Sequence, residues 1–390
     1  MTELITNIGE LTTHSEQHGR LRDAALVIED GRIAWLGEAR SAPAADRVTD
    51  AHGRAVLPGW VDCHSHIVFM GDRGAEFEAR MAGQRYSAGG IASTVAATRA
   101  AGEEALRAQA RALRTEALRQ GTTTLETKTG YGLDLETELL SARVASRVAE
   151  TATFLGAHIV PDGADRREYV DLVKGPMLDA VRPFVDSIDV FCEDGAFTVE
   201  ESREILLAGA AAGLRLRVHG NQLGHSGGVS LAIELGAASV DHCNHLSDHD
   251  VLALSSSDTV ATFLPACDLS TREPFGPARA VLDAGGRVAL ASNCNPGSSY
   301  TTSMVFNVAT AVLQMRLTIE EAVYAATRGG ARVLGLDSGD DERGVVRVGA
   351  IADLQMLDAP SIAHIAYRPG VPLTAAVWQR GVAANGVTAR

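Results

Sequence analysis

The sequence predicts an α/β fold: a (β/α)8 TIM-like barrel with a small β-sandwich domain formed by both chain ends. Three observations lead there. From Trp60 onward, short apolar runs alternate with Ala-, Leu- and Arg-rich stretches of helical spacing, which is the pattern of a parallel sheet. Eight such runs can be counted, and eight units favour closure into a barrel over an open sheet. The two ends of the chain lack this alternation and read as strands and turns.

At the N-terminal end, Ala25–Gly37 has two apolar runs around Asp30-Gly31, a strong short hairpin signal. A Pro-Gly turn closes this region at Pro58-Gly59. The eight strand candidates are Trp60–His66, Thr122–Thr127, Thr151–His158, Ser187–Cys192, Leu214–His219, Ala238–His242, Thr259–Leu264 and Arg287–Asn293. Between them lie helical stretches such as Glu103–Arg119. No dinucleotide fingerprint follows the first strand, which weighs against a nucleotide-binding open sheet. Gly89-Gly90 and Gly227-Gly228 read as helix starts or turns. The tail returns to strands at Val345–Leu357 and Val371–Val382. The expected domains are residues 1–58 with 345–390 as a composite β domain, and 59–344 as the barrel.

The bulk numbers narrow the partners. A net charge of −14 argues against nucleic acid, whose phosphates are bound mainly by Lys and Arg. The five Cys are odd in number and form no C-x-x-C pair, so neither a disulfide framework nor a structural zinc site is expected. The start, MTELITNIGEL, lacks the basic and apolar regions of a signal peptide, and no apolar run is long enough to span a membrane. The expectation is a cytoplasmic protein with a small-molecule partner, no nucleic acid and no membrane.

The strongest local signal is VDCHSHIVF at residues 61–69. Alternate side chains of a strand share a face, so Asp62, His64 and His66 point the same way. Two imidazoles at i and i+2 can chelate one divalent metal. An isolated H-x-H is more often a pair of polar residues at a strand end. Position adds weight here, because His158, His219, His242 and Asn293 all end other strand candidates. Barrel catalysis sits at that rim. His14, His18, His52 and His364 have no such context. His225, His245 and His249 lie just past strand ends. His64, His66 and His219 would supply the three ligands usual for a catalytic metal. A carboxylate would then be wanted to move the proton of the attacking water.

These residues resemble the imidazolonepropionase family of the amidohydrolase superfamily. The likeness runs through residues 57–77 (LPGWVDCHSHIVFMGDRGAEF), 86–101, 121–133 (GTTTLETKTGYGL), 153–161, 188–197, 218–223 (VHGNQL), 240–246 (VDHCNHL) and 293–304 (NCNPGSSYTTSM). It implies hydrolysis of the ring amide of 4-imidazolone-5-propanoate, a step of histidine degradation, by a homodimer holding one divalent metal ion, zinc or iron. It implies His64, His66 and His219 as metal ligands, together with residue 293. His242 would orient or polarise the substrate, and Gln222 would position it. Arg73 would bind the propionate carboxylate. Tyr86, Tyr131, His158 and Asn295 would contact the rest of the substrate. Without the resemblance, Arg73 reads as a rim salt bridge to Asp72 or Glu76, and Lys128 admits a carbamate bridge between two metals.

One position departs from the family. Its Asp-x-Asn-Pro-Gly motif reads here Asn293-Cys294-Asn295-Pro296-Gly297. An Asn can offer a carbonyl oxygen to a metal but cannot shuttle a proton at neutral pH. Loss of general-base help costs about 10²–10⁴-fold. Weakened catalysis, a paralogous hydrolase or deaminase on another carboxylate-bearing nitrogen heterocycle, an inactive ligand-binding homologue, and a substitute carrier such as Asp268 are all compatible with the sequence.

Overall fold

The computed structural model describes residues 1–83 and 90–384. The chain divides into two compact units. One comprises Met1–Asp62, Thr115–Thr124 and the chain from Ser303 onward; the other comprises Cys63–Arg114 and Leu125–Thr302.

The chain ends share one sheet. Its strands are β1 (Thr2–Thr12), β2 (Arg20–Glu29), β3 (Arg32–Glu38), β4 (Arg47–Asp50) and β5 (Ala55–Pro58), followed from the tail by β14 (Leu354–Leu357), β15 (Thr374–Gln379) and β16 (Val382–Ala383). The order is β16-β15-β14-β5-β1-β2-β3, with β4 also pairing β1. The tail therefore joins the N-terminal strands through the antiparallel pair β14–β5. Ile5, Ile8, Leu26, Leu354, Met356 and Trp378 form the centre of its core. The expected hairpin forms at Asp30-Gly31, where both residues take positive φ (48° and 78°). That is the backbone of a tight primed turn.

Two expected tail strands are shorter than their apolar patterns. Val371–Val382 breaks at Arg380-Gly381, again with positive φ at both residues, and folds into the β15–β16 hairpin. Of Val345–Leu357, only the β14 residues lie in a strand. Before them Val346 and Ala350 make single hydrogen bonds to Thr13 and Ile33, and Gly349 turns the chain at φ 88°.

The second sheet contains β6 (Trp60–Asp62), β7 (Thr122–Lys128), β8 (Thr151–Ala157), β9 (Ser187–Cys192), β10 (Arg215–Gly220), β11 (Ser239–His242), β12 (Val260–Phe263) and β13 (Val288–Leu290). They neighbour one another in sequence order, and the pairs from β7 to β13 are parallel. Past the ends of β13 and β6 the chains meet: Asn293 N–H donates to His64 O and His66 N–H to Cys294 O, both at 2.9 Å. The sheet is thus a nearly closed eight-stranded barrel. Its first and last strands are shorter than their apolar runs because these residues make single closing bonds instead of a ladder.

Caps return the chain from the strand ends to the helices. Thr198 with Glu201 and Ser247 with Asp250 form capping boxes after β9 and β11. After β7, the buried Glu138 carboxylate accepts N–H bonds from Gly130, Gly132 and Leu133, shaping the loop that carries Tyr131. Burial, only partly opposed by these bonds, raises the Glu138 pKa.

Candidate active site

Four imidazoles converge at the C-terminal end of the barrel. His64 and His66 continue β6, His219 lies on β10 and His242 ends β11. His64 Nε2 lies 3.2 Å from His66 Nε2, and His219 Nε2 lies 3.5 Å from the same atom. His64, His219 and His242 each bring a ring nitrogen within 4.8 Å of the others.

The opposite ring nitrogens decide what these atoms are. His64 Nδ1 lies 2.7 Å from Asp241 Oδ2, and His219 Nδ1 lies 3.0 Å from Asp189 Oδ1. A carboxylate only accepts, so each Nδ1 carries a proton and each Nε2 is the atom turned towards the cavity. Burial, reinforced by nearby positive groups, holds the pKa values of His64, His66 and His242 well below the usual imidazole range. The Nε2 atoms of His64 and His219 both face His66 Nε2 at near-contact distance, so the three ring nitrogens converge on one point. Asn293 Oδ1, also buried, has no hydrogen-bond partner. The donor set fits a divalent metal ion.

Beneath the imidazoles lies a layer of buried charge. Arg217 Nη2 is 2.9 Å from Asp241 Oδ2, and Arg217 Nη1 is 3.2 Å from Glu126 Oε1. Lys128 Nζ is 2.9 Å from Glu126 Oε1 and 3.0 Å from Asp189 Oδ2. All five side chains are fully buried. Asp189 and Asp241 are held below the usual carboxylate range: burial is the largest influence and opposes this, but His219 and Lys128 around Asp189, and Arg217 and Lys128 around Asp241, outweigh it. Lys128 Nζ is thus held between two carboxylates.

Above the imidazoles opens a cavity whose lining includes Arg73, Tyr131, His158, Gln222, Asn293 and Asn295. His158 Nδ1 bonds Gly130 O at 2.9 Å, and burial lowers its pKa to about 4. The Gln222 backbone is fixed by Glu193 Oε2, which accepts its N–H at 2.8 Å and that of Leu223 at 3.1 Å. Asn295 uses both ends of its amide within its own loop: Nδ2 donates to Asn293 O, and Oδ1 accepts from Gly297 and Ser298 N–H. Arg73 makes a two-pronged ion pair with Glu76, both contacts at 2.7 Å, so the rim salt bridge and the cavity position coexist. Gly297 leaves room beside it: a Cβ there would come within 2.2 Å of Arg73 Nη1, so a side chain at this position would displace the guanidinium.

Tyr86 lies outside the described residues. Among the described residues, His225, His245, His249 and Asp268 are not in the cavity lining. His245 instead faces Glu273 at 3.6 Å. Asp268, paired with Asn244 Nδ2 at 2.7 Å, is pushed up to about 8 by burial. Sequence reasoning passed over Glu126, Asp189, Arg217 and Asp241. Their signal was available: charged residues at alternate positions inside apolar strand runs, TLETK, IDVF, LRLRVH and SVDH.

Comparison with known proteins agrees with this fold. Residues 55–386 match the model of the amidohydrolase family. A zinc-bound adenosine deaminase from Xanthomonas campestris shares the fold at a TM-score of 0.75 and 18% identity, covering 100% of this chain and 93% of that one. The chain belongs to the amidohydrolase family. Within it the chain stands among the imidazolonepropionases. The protein of that name from Saccharopolyspora erythraea is 63% identical over 98% of this chain and 99% of its own length. That from Paenarthrobacter aurescens is 60% identical over 97% of each. Among the described residues, no helix is long and apolar enough to cross a membrane.

Proposed function

We propose that this chain hydrolyses the ring amide of 4-imidazolone-5-propanoate to N-formimino-L-glutamate, the histidine-degradation step for which its relatives are named. The observation that carries the reading is the convergence of imidazole nitrogens at the floor of a cavity that also holds a guanidinium. His64, His66 and His219 hold one divalent ion, zinc or iron, and Asn293 offers its orphaned Oδ1 as a further ligand. When bound, the ion supplies Lewis-acid polarisation and activation of water.

The remaining work falls to the chain. Arg73 binds the propionate carboxylate, which a planar guanidinium suits. Its pairing with Glu76 holds that guanidinium in place beforehand. Tyr131 and His158 flank the ring, and His158 stays neutral because burial lowers its pKa to about 4. Gln222 orients the substrate from the wall opposite. A proton must move from water to the leaving nitrogen, and the Asn293 amide cannot carry it. His242 is a titratable group beside the ligands, and its Nδ1 has no partner. Burial keeps its pKa low, so it is a weak base and turnover is slow. The family likeness further supports a homodimer working in the cytoplasm.

The test is to load the chain separately with zinc and iron, add 4-imidazolone-5-propanoate and follow loss of the imidazolone absorbance. Slow turnover with saturable kinetics is expected. Faster turnover of another carboxylate-bearing nitrogen heterocycle by the same chain would replace this substrate.

A further inference from the structure

The charged layer closes on itself. Starting from His64, the contacts run to Asp241, Arg217, Glu126, Lys128, Asp189 and finally His219. Each link is between 2.7 and 3.2 Å. The two ends are the imidazoles whose Nε2 atoms face the same point. Glu126 stands at the middle and is the member in contact with both cations. It also reaches the H-x-H segment directly: its Oε2 accepts the Ser65 N–H at 3.1 Å, and its carbonyl accepts the Ser65 hydroxyl at 2.6 Å. Ser65 lies between His64 and His66.

The charge count has a direction. Glu126, Asp189 and Asp241 against Lys128 and Arg217 leave one uncompensated negative charge in a fully buried layer. Such an excess is costly alone and favourable beneath a divalent cation. The two carboxylates at the ring's ends fix the ring-nitrogen protonation of His64 and His219. Their own positions are set by Arg217 and Lys128, and those cations are set by Glu126.

We propose that Glu126 is a positioning residue for the metal centre, holding His64 and His219 in one mutual geometry through Arg217–Asp241 on one side and Lys128–Asp189 on the other. The inference rests on the assignment of those two histidines as ligands. Glu126 touches neither the substrate cavity nor the ligand nitrogens, so it acts on affinity for the ion and on pre-organisation of the site.

The experiment measures zinc affinity of the full chain by competition with a chromophoric chelator, and melting temperature with and without zinc. Glu126→Gln is expected to weaken zinc binding by about 10–100-fold, the range for residues that orient metal ligands. It should shrink the rise in melting temperature that zinc produces. Arg217→Lys keeps the charge but cannot span Glu126 and Asp241, and should weaken zinc in the same direction. The double variant should lose less than the two single losses combined, because both break one ring. Glu138→Gln alters another buried carboxylate outside the ring and should leave zinc affinity unchanged. Should Glu126→Gln fail to fold, Arg217→Lys carries the test. Parent-like zinc affinity in the ring variants, or losses that multiply independently, would overturn the ring while leaving the ligands in place. A parent chain that binds no zinc or iron would overturn the ligand assignment, and the ring's role with it.

Discussion

The floor and the wall of the site are built on opposite rules. In the floor, carboxylates and cations contact each other from strand to strand, and the imidazoles above have their Nδ1 atoms tied down at His64 and His219. In the wall, polar atoms stay open: His66 Nδ1, His242 Nδ1 and Asn293 Oδ1 are buried without a hydrogen-bond partner. Backbone strain follows the same division. His242 and Asn293 take positive φ, 82° and 51°, which non-glycine residues seldom adopt, and both sit where strands deliver side chains to the cavity. A floor of contacting charges fixes geometry, although Asp241 Oδ1 within it has no hydrogen-bond partner. An unsatisfied wall keeps groups available for ligands that arrive later.

The comparison breaks most visibly if the imidazoles are not what the floor supports. His66→Ala should remove the bound ion and bring turnover below detection, a loss of at least about 10³-fold. Elemental analysis checks it, and one ion per chain retained in the variant would end the claim that the H-x-H pair is a ligand pair. The wall should respond differently. Arg73→Ala should leave the ion in place and raise KM by about 30-fold or more, as expected when one partner of a buried charge pair is cut away. A fall in kcat with KM unchanged would argue against carboxylate recognition.

The smallest expected effect lies beside the site and separates burial from function. Asp268 is shifted from its ordinary value near 3.8 up to about 8 by burial. Between these values the unfolded chain has released a proton that the folded chain keeps, so this residue's contribution to stability falls as pH rises across that window. Asp268→Asn should therefore raise the melting temperature by about 2–4 °C at pH 8 and have no such effect at pH 4. An equal shift at both pH values would contradict the linkage. If turnover also falls, Asp268 belongs to the wall after all.

The strand-end imidazoles and several cavity residues could be named from the sequence; the charged floor beneath them could not. Strand-end histidines could be read because one apolar run after another stops at the same residue type. The hairpins could be read because Asp30-Gly31 permits a backbone that few pairs do. Strand ends could not: the His64 carbonyl and His66 N–H bond residues after β13, more than two hundred positions away in sequence, and no local pattern encodes that closure. The ring under the imidazoles was hidden for the same reason. Glu126, Asp189, Arg217 and Asp241 come from four strands, and each alone looks like a polar lapse in an apolar run. Their meaning is their pairing. The amide at position 293 was plain in the sequence, and the structure adds that its oxygen is buried and unpaired beside the imidazoles.

That amide offers the most direct test. We would measure turnover of 4-imidazolone-5-propanoate by this chain and by its Asn293→Asp variant, each with its metal content determined. The expected result is equal metal in both and turnover about 10²-fold or more higher in the variant, since a carboxylate there restores the proton carrier. Equal turnover at equal metal content would contradict the account, placing the carrier elsewhere and leaving position 293 a ligand only.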